Sequence, residues 1–310
     1  MDDVYVLDTK EWIWSHPQMK GQVPSARDKH TACLVGRTLY VFGGFGPSNA
    51  EENGDMNQEI EEMNQDNDED VNVNVNGDGN DENGNGNADE GDDAISEDGA
   101  DDDEILDGGE EDEEEEDGPS MSFTWFNDLH ALDVIDMEWK ELETTGVKPT
   151  PRAAHASFIA NIKENESGDV RVKMFVFGGR DHVGRTNDLF TLDIKSLEWK
   201  KEISKAPPAR SFHVMLPLLG SKVAVCYGGM GANGEMFSGL ELMDLQTLEW
   251  TSPKSLNGFW PPLRGATSMT STLSQEEPKL IIFGGSLSVE DKETIYYNDA
   301  YVAQLSAASC

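Results

Sequence analysis

The stretch PRAAHASFIANIKENESGDVRVKMFVFGGRDHVGRTNDLFTLDIKSLEW, residues 151–199, contains every feature that repeats along this chain. It opens with Pro-Arg and a His and runs through an apolar segment that ends in Gly-Gly. After a variable loop, Asn-Asp precedes a segment in which apolar and polar residues alternate. This segment ends in Asp and is followed by Trp. The run MFVF predicts a buried strand, the glycines permit positive φ at a turn, and LFTLD predicts a half-buried strand. The Trp is large enough to pack between neighbouring sheets.

The same pattern recurs along most of the chain. The recurring positions are Arg27, Arg152, Arg210 and Arg264; His30, His155 and His213, with Thr267 in the fourth place; Gly43-Gly44, Gly178-Gly179, Gly228-Gly229 and Gly284-Gly285; and Trp12, Trp139, Trp199 and Trp250. Four short strands in about 50 residues is the period of a kelch repeat, which forms one blade of a β-propeller. The sequence therefore predicts an all-β kelch β-propeller.

We expect this propeller to be incomplete. The first unit begins at its third strand, DDVYVLD, and the last unit stops at its third strand, NDAYVAQL. Only three units carry all four predicted strands. About four to five blades are therefore expected to be represented, with further blades upstream of this chain.

Residues 50–118 interrupt the repeat with a strongly acidic segment. They contain 32 of the 61 acidic residues and neither Lys nor Arg, so most of the net charge of -38 belongs to this segment. A run of Asn, Asp, Glu and Gly cannot bury enough apolar surface to offset the entropy of ordering. We predict a propeller in two parts, 1–49 and 119–310, with a disordered insert at 50–118. Binding of histones or other basic proteins by the insert is one open alternative.

Several classes of protein are disfavoured by the sequence. No stretch resembles a transmembrane helix, and the start MDDVYVLD is unlike a signal peptide. Three cysteines at unrelated spacings, Cys33, Cys226 and Cys310, indicate a reducing compartment, cytoplasmic and/or nuclear. No CxxC, HExxH or P-loop motif occurs. We expect no metal, no cofactor, no enzymatic activity, no nucleic-acid partner and no membrane partner.

Residues that recur in every unit are most simply structural. The repeated His and Arg residues are therefore interpreted as blade residues rather than metal ligands. The repeated aspartates, Asp8, Asp133, Asp193 and Asp244, are interpreted as turn formers. Some kelch propellers are copper or metal-dependent enzymes, but no Cys, Tyr and His set stands outside the repeat here.

Positions at which the repeat is broken are better candidates for function. The residue after Gly-Gly is Phe45, Arg180, Met230 or Ser286, and the residue two beyond the repeated Arg is Lys29, Ala154, Phe212 or Ala266. Loops that begin at equivalent points emerge on one face of a propeller. We therefore expect a basic, aromatic-walled pocket suited to a carboxylate. Its predicted residues are Lys29, Phe45, Phe126, Arg180, Arg185, Ser211 and Phe212.

The stretch PTPRAAHA, followed by FVFGGR, four residues, Arg and Asn-Asp-Leu, resembles kelch-domain substrate receptors of cullin-RING ubiquitin ligases. It is most similar to the receptors that read C-terminal diglycine degrons. In that family two pocket arginines clasp the terminal carboxylate, and they fall on Arg180 and Arg185. The family's pocket serine and lysine match Ser211 and Lys29. Phe45, Phe126 and Phe212 match its aromatic positions, with Phe where the relatives have Tyr or Trp.

The resemblance implies recognition of a peptide C-terminus rather than catalysis. Arg180 and Arg185 would pair with the carboxylate, Ser211 and Lys29 would bond its oxygens, and the aromatic residues would wall a slot that favours a terminal glycine. An elongin–cullin module is the implied partner, although the helical segment that docks it in the family is not seen before the end, AQLSAASC. A generic kelch scaffold, such as a cytoskeletal or trafficking adaptor, is the alternative.

Overall fold

The computed structural model describes residues 3–48, 122–163, 169–253, 261–274, 277–287 and 294–304. All of them belong to one compact unit, Met1–Ser48 with Ser122–Cys310. The insert predicted at 50–118 lies outside the described residues. Every regular element in the described ranges is a β-strand. None of the described residues forms a helix that could cross a membrane.

A hairpin comes first and is followed by the first blade. The strands are β1 (Val6–Asp8), β2 (Ile13–Ser15), β3 (Lys20–Gly21), β4 (Thr31–Val35), β5 (Thr38–Pro47), β6 (Phe123–Asp133) and β7 (Glu138–Glu141). β1 pairs with β2, and the blade has the order β3-β7-β6-β5-β4. The pairing of β5 with β6 joins the two parts of the propeller on either side of the predicted insert.

The second blade repeats this order. Its strands are β8 (Thr145–Gly146), β9 (Ala156–Lys163), β10 (Val170–Phe177), β11 (Leu189–Asp193) and β12 (Glu198–Glu202), arranged β8-β12-β11-β10-β9. β8 pairs in parallel with β12 at the outer edge, as β3 does with β7. Gly146 is needed there because a Cβ would collide with the carbonyl oxygen of Trp199. This fifth strand was not predicted from the repeat.

The third and fourth blades contain the remaining strands. These are β13 (Arg210–Ser211), β14 (Val214–Pro217), β15 (Val223–Tyr227), β16 (Met230–Gly231), β17 (Leu240–Asp244), β18 (Trp250–Thr251), β19 (Ser268–Ser274), β20 (Glu277–Phe283), β21 (Ser286–Leu287), β22 (Ile295–Tyr296) and β23 (Ala300–Gln304). The blades are β14-β15-β17-β18 and β19-β20-β23, and β13-β16 and β21-β22 are separate short ladders. The structure confirms the all-β propeller, and the described residues form four blades.

Aromatic packing joins the second blade to the first and the third blade to the second. The ring of Trp199 on the second blade lies 5.0 Å from Phe42 on the first, and Trp250 on the third blade lies 4.9 Å from Phe177 on the second. Strands β4, β9, β14 and β19 also contact one another in succession. The prediction that the repeated Trp packs between sheets is confirmed for these two residues. Trp12 differs, since 73% of its surface is exposed.

Each repeated Arg is buried and ties its own blade together. The guanidinium of Arg152 donates from Nη1 to Asp188 Oδ1 at 2.6 Å and from Nη2 to Asp188 Oδ2 at 3.2 Å. Arg152 Nη1 also donates to the carbonyl oxygen of Gly178 at 3.0 Å. Arg27 and Arg264 form equivalent ion pairs, each at 2.6 Å. These contacts support the interpretation that the repeated Arg residues are structural.

Arg210 is the exception among the repeated arginines. It donates to the carbonyl oxygen of Gly228 at 3.3 Å and lies 4.3 Å from the centre of the Phe237 ring. Within the described residues no carboxylate pairs with it, because Gly239 occupies the position that Asp188 has in the second blade. A Cβ on Gly239 would meet only Glu241 Oε1, at 3.9 Å. The third blade therefore has space for a carboxylate beside a buried cation.

The repeated turn aspartates act as predicted. Asp193 Oδ1 accepts hydrogen bonds from the amides of Lys195 and Ser196, both at 2.9 Å. Asp8, Asp133 and Asp244 accept equivalent pairs of amide bonds. Each carboxylate therefore closes the turn between the third and fourth strands of its unit.

Two of the repeated histidines, His155 and His213, lie in the seams between blades, whereas His30 is exposed. The ring of His155 is 5.4 Å from Phe42, and its Nε2 is 2.7 Å from Thr31 Oγ1 of the preceding blade. His213 lies 5.3 Å from Phe177 in the same way. Burial and then the charge of Arg210 lower the pKa of His213 to about 3. Burial and then Arg152 lower the pKa of His155 well below its usual value. Both rings are therefore neutral packing elements near neutral pH.

We predict that Gly239→Asp stabilises the protein. The new carboxylate would pair with Arg210, and a hydrogen bond to a charged group contributes about 1.5–3 kcal/mol. Gly239→Ala is the matched control, because it makes the same change to backbone freedom without adding a charge. Urea unfolding should give a higher free energy of unfolding for the Asp variant than for the Ala variant. Equal values would contradict the proposed ion pair.

We also predict that stability falls as pH decreases from about 6.5. Histidine has a pKa near 6.5 in an unfolded chain, whereas the folded-state pKa of His213 is about 3. The unfolded state therefore binds more protons in this interval, and the free energy of unfolding decreases by about 1.4 kcal/mol per pH unit for such a histidine.

Unfolding titrations between pH 6.5 and about 4.5 test this expectation, since most carboxylates remain ionised there. His213→Gln should have a shallower dependence on pH than the parent. The exposed His182→Gln is the control and should retain the parent's slope. The same slope in His213→Gln and the parent would show that His213 is not the source.

Candidate functional site

The residue after Gly-Gly occupies the same place in all four blades. In each case it pairs across a β-bridge with the residue that follows the repeated Arg. The pairs are Phe45 with Asp28, Arg180 with Ala153, Met230 with Ser211, and Ser286 with Gly265. The expectation that these positions are equivalent is therefore confirmed.

Four further residues link these positions from blade to blade. The amide of Ala154 donates to the Lys29 carbonyl at 2.9 Å, and the amide of Phe212 donates to the Ala154 carbonyl at 2.9 Å. The amide of Ala266 then donates to the Phe212 carbonyl at 2.8 Å. All four residues have positive φ, between 52° and 57°, which is uncommon outside glycine. We call the end of the propeller formed by these residues and the post-Gly-Gly positions the mouth.

The two predicted arginines face each other across a tight loop at the mouth. Arg180 and Arg185 form an antiparallel bridge. Asp181 closes the loop, because its Oδ1 accepts from the amides of Val183 at 2.9 Å and Gly184 at 3.0 Å. Thr150 Oγ1 donates to Asp181 Oδ2 at 2.9 Å. The loop is thus held by its own hydrogen bonds and by an anchor outside it.

Arg185 is oriented by the third blade. Its Nε donates to Ser211 Oγ at 2.8 Å, and its Nη2 lies 2.7 Å from Met230 Sδ. Ser211 is fully buried, so its hydroxyl holds the guanidinium of Arg185 from the interior of the protein. The resemblance implied instead that Ser211 bonds the ligand. In this structure the serine acts on Arg185, and any direct contact with a ligand stays a prediction.

Neither Arg180 nor Arg185 has a carboxylate partner among the described residues. Burial and then the charge of Arg180 lower the pKa of Arg185, and Glu235 partly offsets this effect. A cavity of about 600 Å³ adjoins both residues and is also lined by Asp181, Val183, Gly184, Thr186 and Ala232. Two unpaired guanidiniums beside open space form an anion-binding arrangement.

The first blade contributes the predicted Lys29 and Phe45. Lys29 Nζ lies 5.7 Å from the centre of the Phe45 ring and 3.0 Å from Asp28 Oδ2. Phe45 packs on Trp125 and Phe123, with ring centres 5.0 and 5.7 Å apart. These residues form an aromatic surface with a cation that is already paired.

Phe126 has a different setting from the other predicted site residues. Its ring lies 4.1 Å from the guanidinium carbon of Arg27. Phe237 and Tyr297 cover Arg210 and Arg264 in the same manner, at 4.3 and 3.9 Å. The same contact between an aromatic ring and the repeated Arg recurs in other blades. The structure therefore places Phe126 in the internal packing of its own blade. Its role in the pocket stays a prediction.

Two methionines on the third blade were not predicted as site residues. Met230 and Met236 form the same type of antiparallel bridge as Arg180 and Arg185. The methionine loop is one residue longer, so Met236 has no counterpart when the sequences are aligned by spacing alone. The only available signal was Met230, which breaks the repeat after Gly-Gly.

One cluster of potential metal ligands occurs in the described part of the chain. The ligand atoms of Asp128, His130 and Glu141 lie within 4.8 Å of one another. Asp128 already accepts from Arg27 and lies 2.9 Å from His130 Nε2. Burial opposes its ionisation, but the bonds from His130 and Arg27 prevail and lower the pKa of Asp128 to about 2. The cluster is explained by the ion pair of the first blade.

Comparison with protein-family models matches residues 1–81 and 101–309 to the KLHDC2/KLHL20/DRC7 Kelch-repeats domain. The chain is 29% identical over 161 residues to Acyl-CoA-binding domain-containing protein 4 of Arabidopsis thaliana, covering 51% of this chain and 22% of that protein. It is 30% identical over 166 residues to human Kelch domain-containing protein 1, covering 52% and 37%. Human Rab9 effector protein with kelch motifs is 29% identical over 163 residues, covering 52% and 40%.

A solved structure, that of YjhT, is similar to the whole fold. The TM-score is 0.57 at 15% sequence identity, and the match covers 98% of this chain and 78% of the other. At this identity the likeness concerns the fold alone. The chain matches less than half the length of each of the three curated relatives.

Proposed function

The chain belongs to the family of KLHDC2/KLHL20/DRC7 kelch-repeat domains, and from this premise we propose that it binds the C-terminal carboxylate of peptides. As a kelch-repeat domain related to Kelch domain-containing proteins 1 and 2, it is a protein-interaction module. The finer proposal is a substrate receptor of a cullin-RING ubiquitin ligase that selects C-terminal degrons.

The observation that carries this proposal is the pair of unpaired guanidiniums at the mouth. The chain is acidic, and the buried Arg27, Arg152 and Arg264 all have aspartate partners within their own blades. Arg180 and Arg185 are placed side by side in spite of their mutual repulsion, which contributes to the lowered pKa of Arg185. An arrangement that concentrates positive charge without an internal partner is suited to an external anion.

A peptide carboxylate suits this geometry better than a small mobile anion does. It presents two oxygens in one plane, and guanidinium groups recognise that shape through paired donors. Arg185 is already held by Ser211, so little of its side-chain freedom remains to be lost on binding. The Phe45 and Trp125 rings offer an apolar surface on the first blade, which neighbours the blade of Arg180 and Arg185. The rest of the peptide could lie against it.

The proposed ligase role rests on the family rather than on this site. The relatives that support it are matched over only part of their length, 37% for human Kelch domain-containing protein 1. Co-purification of elongin and cullin subunits with the full chain tests this role separately from peptide binding. Peptide binding without these subunits would leave a carboxylate reader that is not itself a ligase receptor.

A kelch scaffold is the second candidate, because the similarity to human Rab9 effector protein with kelch motifs is nearly as high, at 29% identity. A scaffold partner would use the outer surfaces of the blades. Its binding should therefore survive replacement of both mouth arginines. Loss of partner binding in such variants would favour the carboxylate site.

We predict that the protein binds a fluorescent peptide with a free C-terminus and does not bind its C-terminal amide. Arg180→Ala and Arg185→Ala should each weaken binding, and the partly buried Arg185→Ala by at least about 30-fold, since loss of a buried charge partner costs roughly 2–5 kcal/mol. Fluorescence anisotropy measures the affinities. Arg37→Ala, which removes an exposed arginine paired with Asp133 and Asp136, is the control and should bind like the parent. Equal binding of acid and amide would refute the proposal.

We further predict that Ser211→Ala weakens binding of the same peptide by about 5-fold, corresponding to one hydrogen bond of about 1 kcal/mol. The serine orients Arg185, so Ser211→Ala should add little when Arg185 is already alanine. Ser196→Ala, in the turn after β11, is a control with no expected effect. Additive losses in the double variant would show that Ser211 contacts the peptide itself.

A further inference from the structure

A second cavity opens at the mouth beside Arg185. It has a volume of about 170 Å³ and is lined by Phe212, Met230, Met236, Gly265, Ala266 and Ser286. Met230 belongs to this cavity and also lies 2.7 Å from Arg185 Nη2, so the cationic site and the second cavity share a wall. No charged side chain lines it. We call it the methionine slot.

The methionine slot is the third-blade equivalent of the arginine pair. On the second blade, Arg180 and Arg185 bridge each other. On the third blade the bridging residues are Met230 and Met236. Neighbouring blades thus present two cations and two thioethers at the same structural position. Thioether side chains are flexible and polarisable, and they adapt to apolar groups of different shapes.

We propose that the methionine slot receives the side chain of the C-terminal residue of a bound peptide, and that the module therefore prefers ends with an apolar side chain to glycine ends. This inference rests on the carboxylate binding proposed above. The carboxylate and the side chain of a terminal residue are attached to the same Cα. A carboxylate held by Arg185 therefore places the side chain next to Met230, at the entrance to the slot.

Space in the slot depends on a glycine of the fourth blade. The position after the repeated Arg is Asp28, Ala153, Ser211 or Gly265 in the successive blades. A Cβ on Gly265 would lie 3.2 Å from Met236 Cε and 3.4 Å from Phe212 Cβ. Gly265 does not have positive φ, so alanine is compatible with its backbone. Gly265→Ala should therefore narrow the slot without disturbing Arg185.

The test uses the full chain and one peptide series that differs only in its last residue. Peptides ending in Gly, Ala, Val, Leu or Asp are prepared as free acids, and the Gly and Leu peptides also as amides. Because a methylene in an apolar pocket changes selectivity by about 10-fold or more, the Val or Leu acid should bind at least about 10-fold more tightly than the Gly acid. The Asp acid should bind no better than Gly.

Two variants assign this preference to the slot. Gly265→Ala and Met236→Gln should each reduce the preference for Leu over Gly to about 3-fold or less. Gly239→Ala is the matched glycine control on the third blade and should retain the parent's preference. Thermal melting followed by circular dichroism establishes that each variant is folded. A Leu preference that persists in both folded slot variants would overturn the proposal.

The outcomes separate this inference from the carboxylate proposal. If the Gly acid binds better than the Val and Leu acids and its amide does not bind, the carboxylate site stands and the slot proposal is wrong. If acids and amides bind equally, or no peptide binds to the folded chain, the carboxylate site and the slot proposal both fail. Preference for Leu acid, lost in Gly265→Ala, supports both.

Discussion

A buried guanidinium within each blade is the interaction on which the rest of this structure depends. Arg152 illustrates its two functions. Its side chain joins a carbonyl of the glycine pair to an aspartate ahead of the third strand, all within the second blade. Its main chain reaches the first blade, where the amide of Gly44 donates to its carbonyl at 2.9 Å and its own amide donates to Phe126 at 3.0 Å. One residue therefore stabilises its own blade and fixes that blade against the preceding one.

This constraint explains how a site can vary on a constant frame. The residues beside the repeated Arg and after Gly-Gly are held by main-chain bonds, which do not depend on their side chains. Arg180, Met230 and Ser286 can therefore occupy the same position in different blades without altering the fold. The mouth combines a cationic blade, a thioether blade and an aromatic blade, and its chemistry comes from the differences among them. Fold likeness alone would not reveal that chemistry.

The repeat made much of the fold predictable, because each structural residue was present in several copies. The strands, the packing of Trp199 and Trp250, the turn aspartates and the structural histidines all followed from recurrence. Recurrence could not identify β8, whose pairing needs only a glycine in an otherwise variable segment. Recurrence also indicated which positions lie near one another, but it did not show which side chains are in contact. Ser211 was placed near the arginines, but its bond to Arg185 depends on side-chain orientation.

Two side chains show where spacing ceases to be informative. Phe126 was selected because it matches an aromatic position of the resembled family, yet its ring covers the structural Arg27. Met236 was missed because its loop is one residue longer, although it bridges Met230 as Arg185 bridges Arg180. In both cases the contacts in the folded structure, rather than the number of residues from a motif, show which residues of different blades are equivalent.

The charge of the chain restricts how the proposed site can work. A net charge of -38 opposes the approach of an anionic peptide, whereas the attraction of Arg180 and Arg185 is local. At physiological ionic strength exposed charges are screened beyond about 8 Å. The arginines therefore act mainly once the carboxylate has reached the mouth, where part of the surrounding water is displaced. Selectivity must then come from short-range contacts, and an apolar slot that shares a wall with Arg185 is placed where such contacts decide between peptide ends.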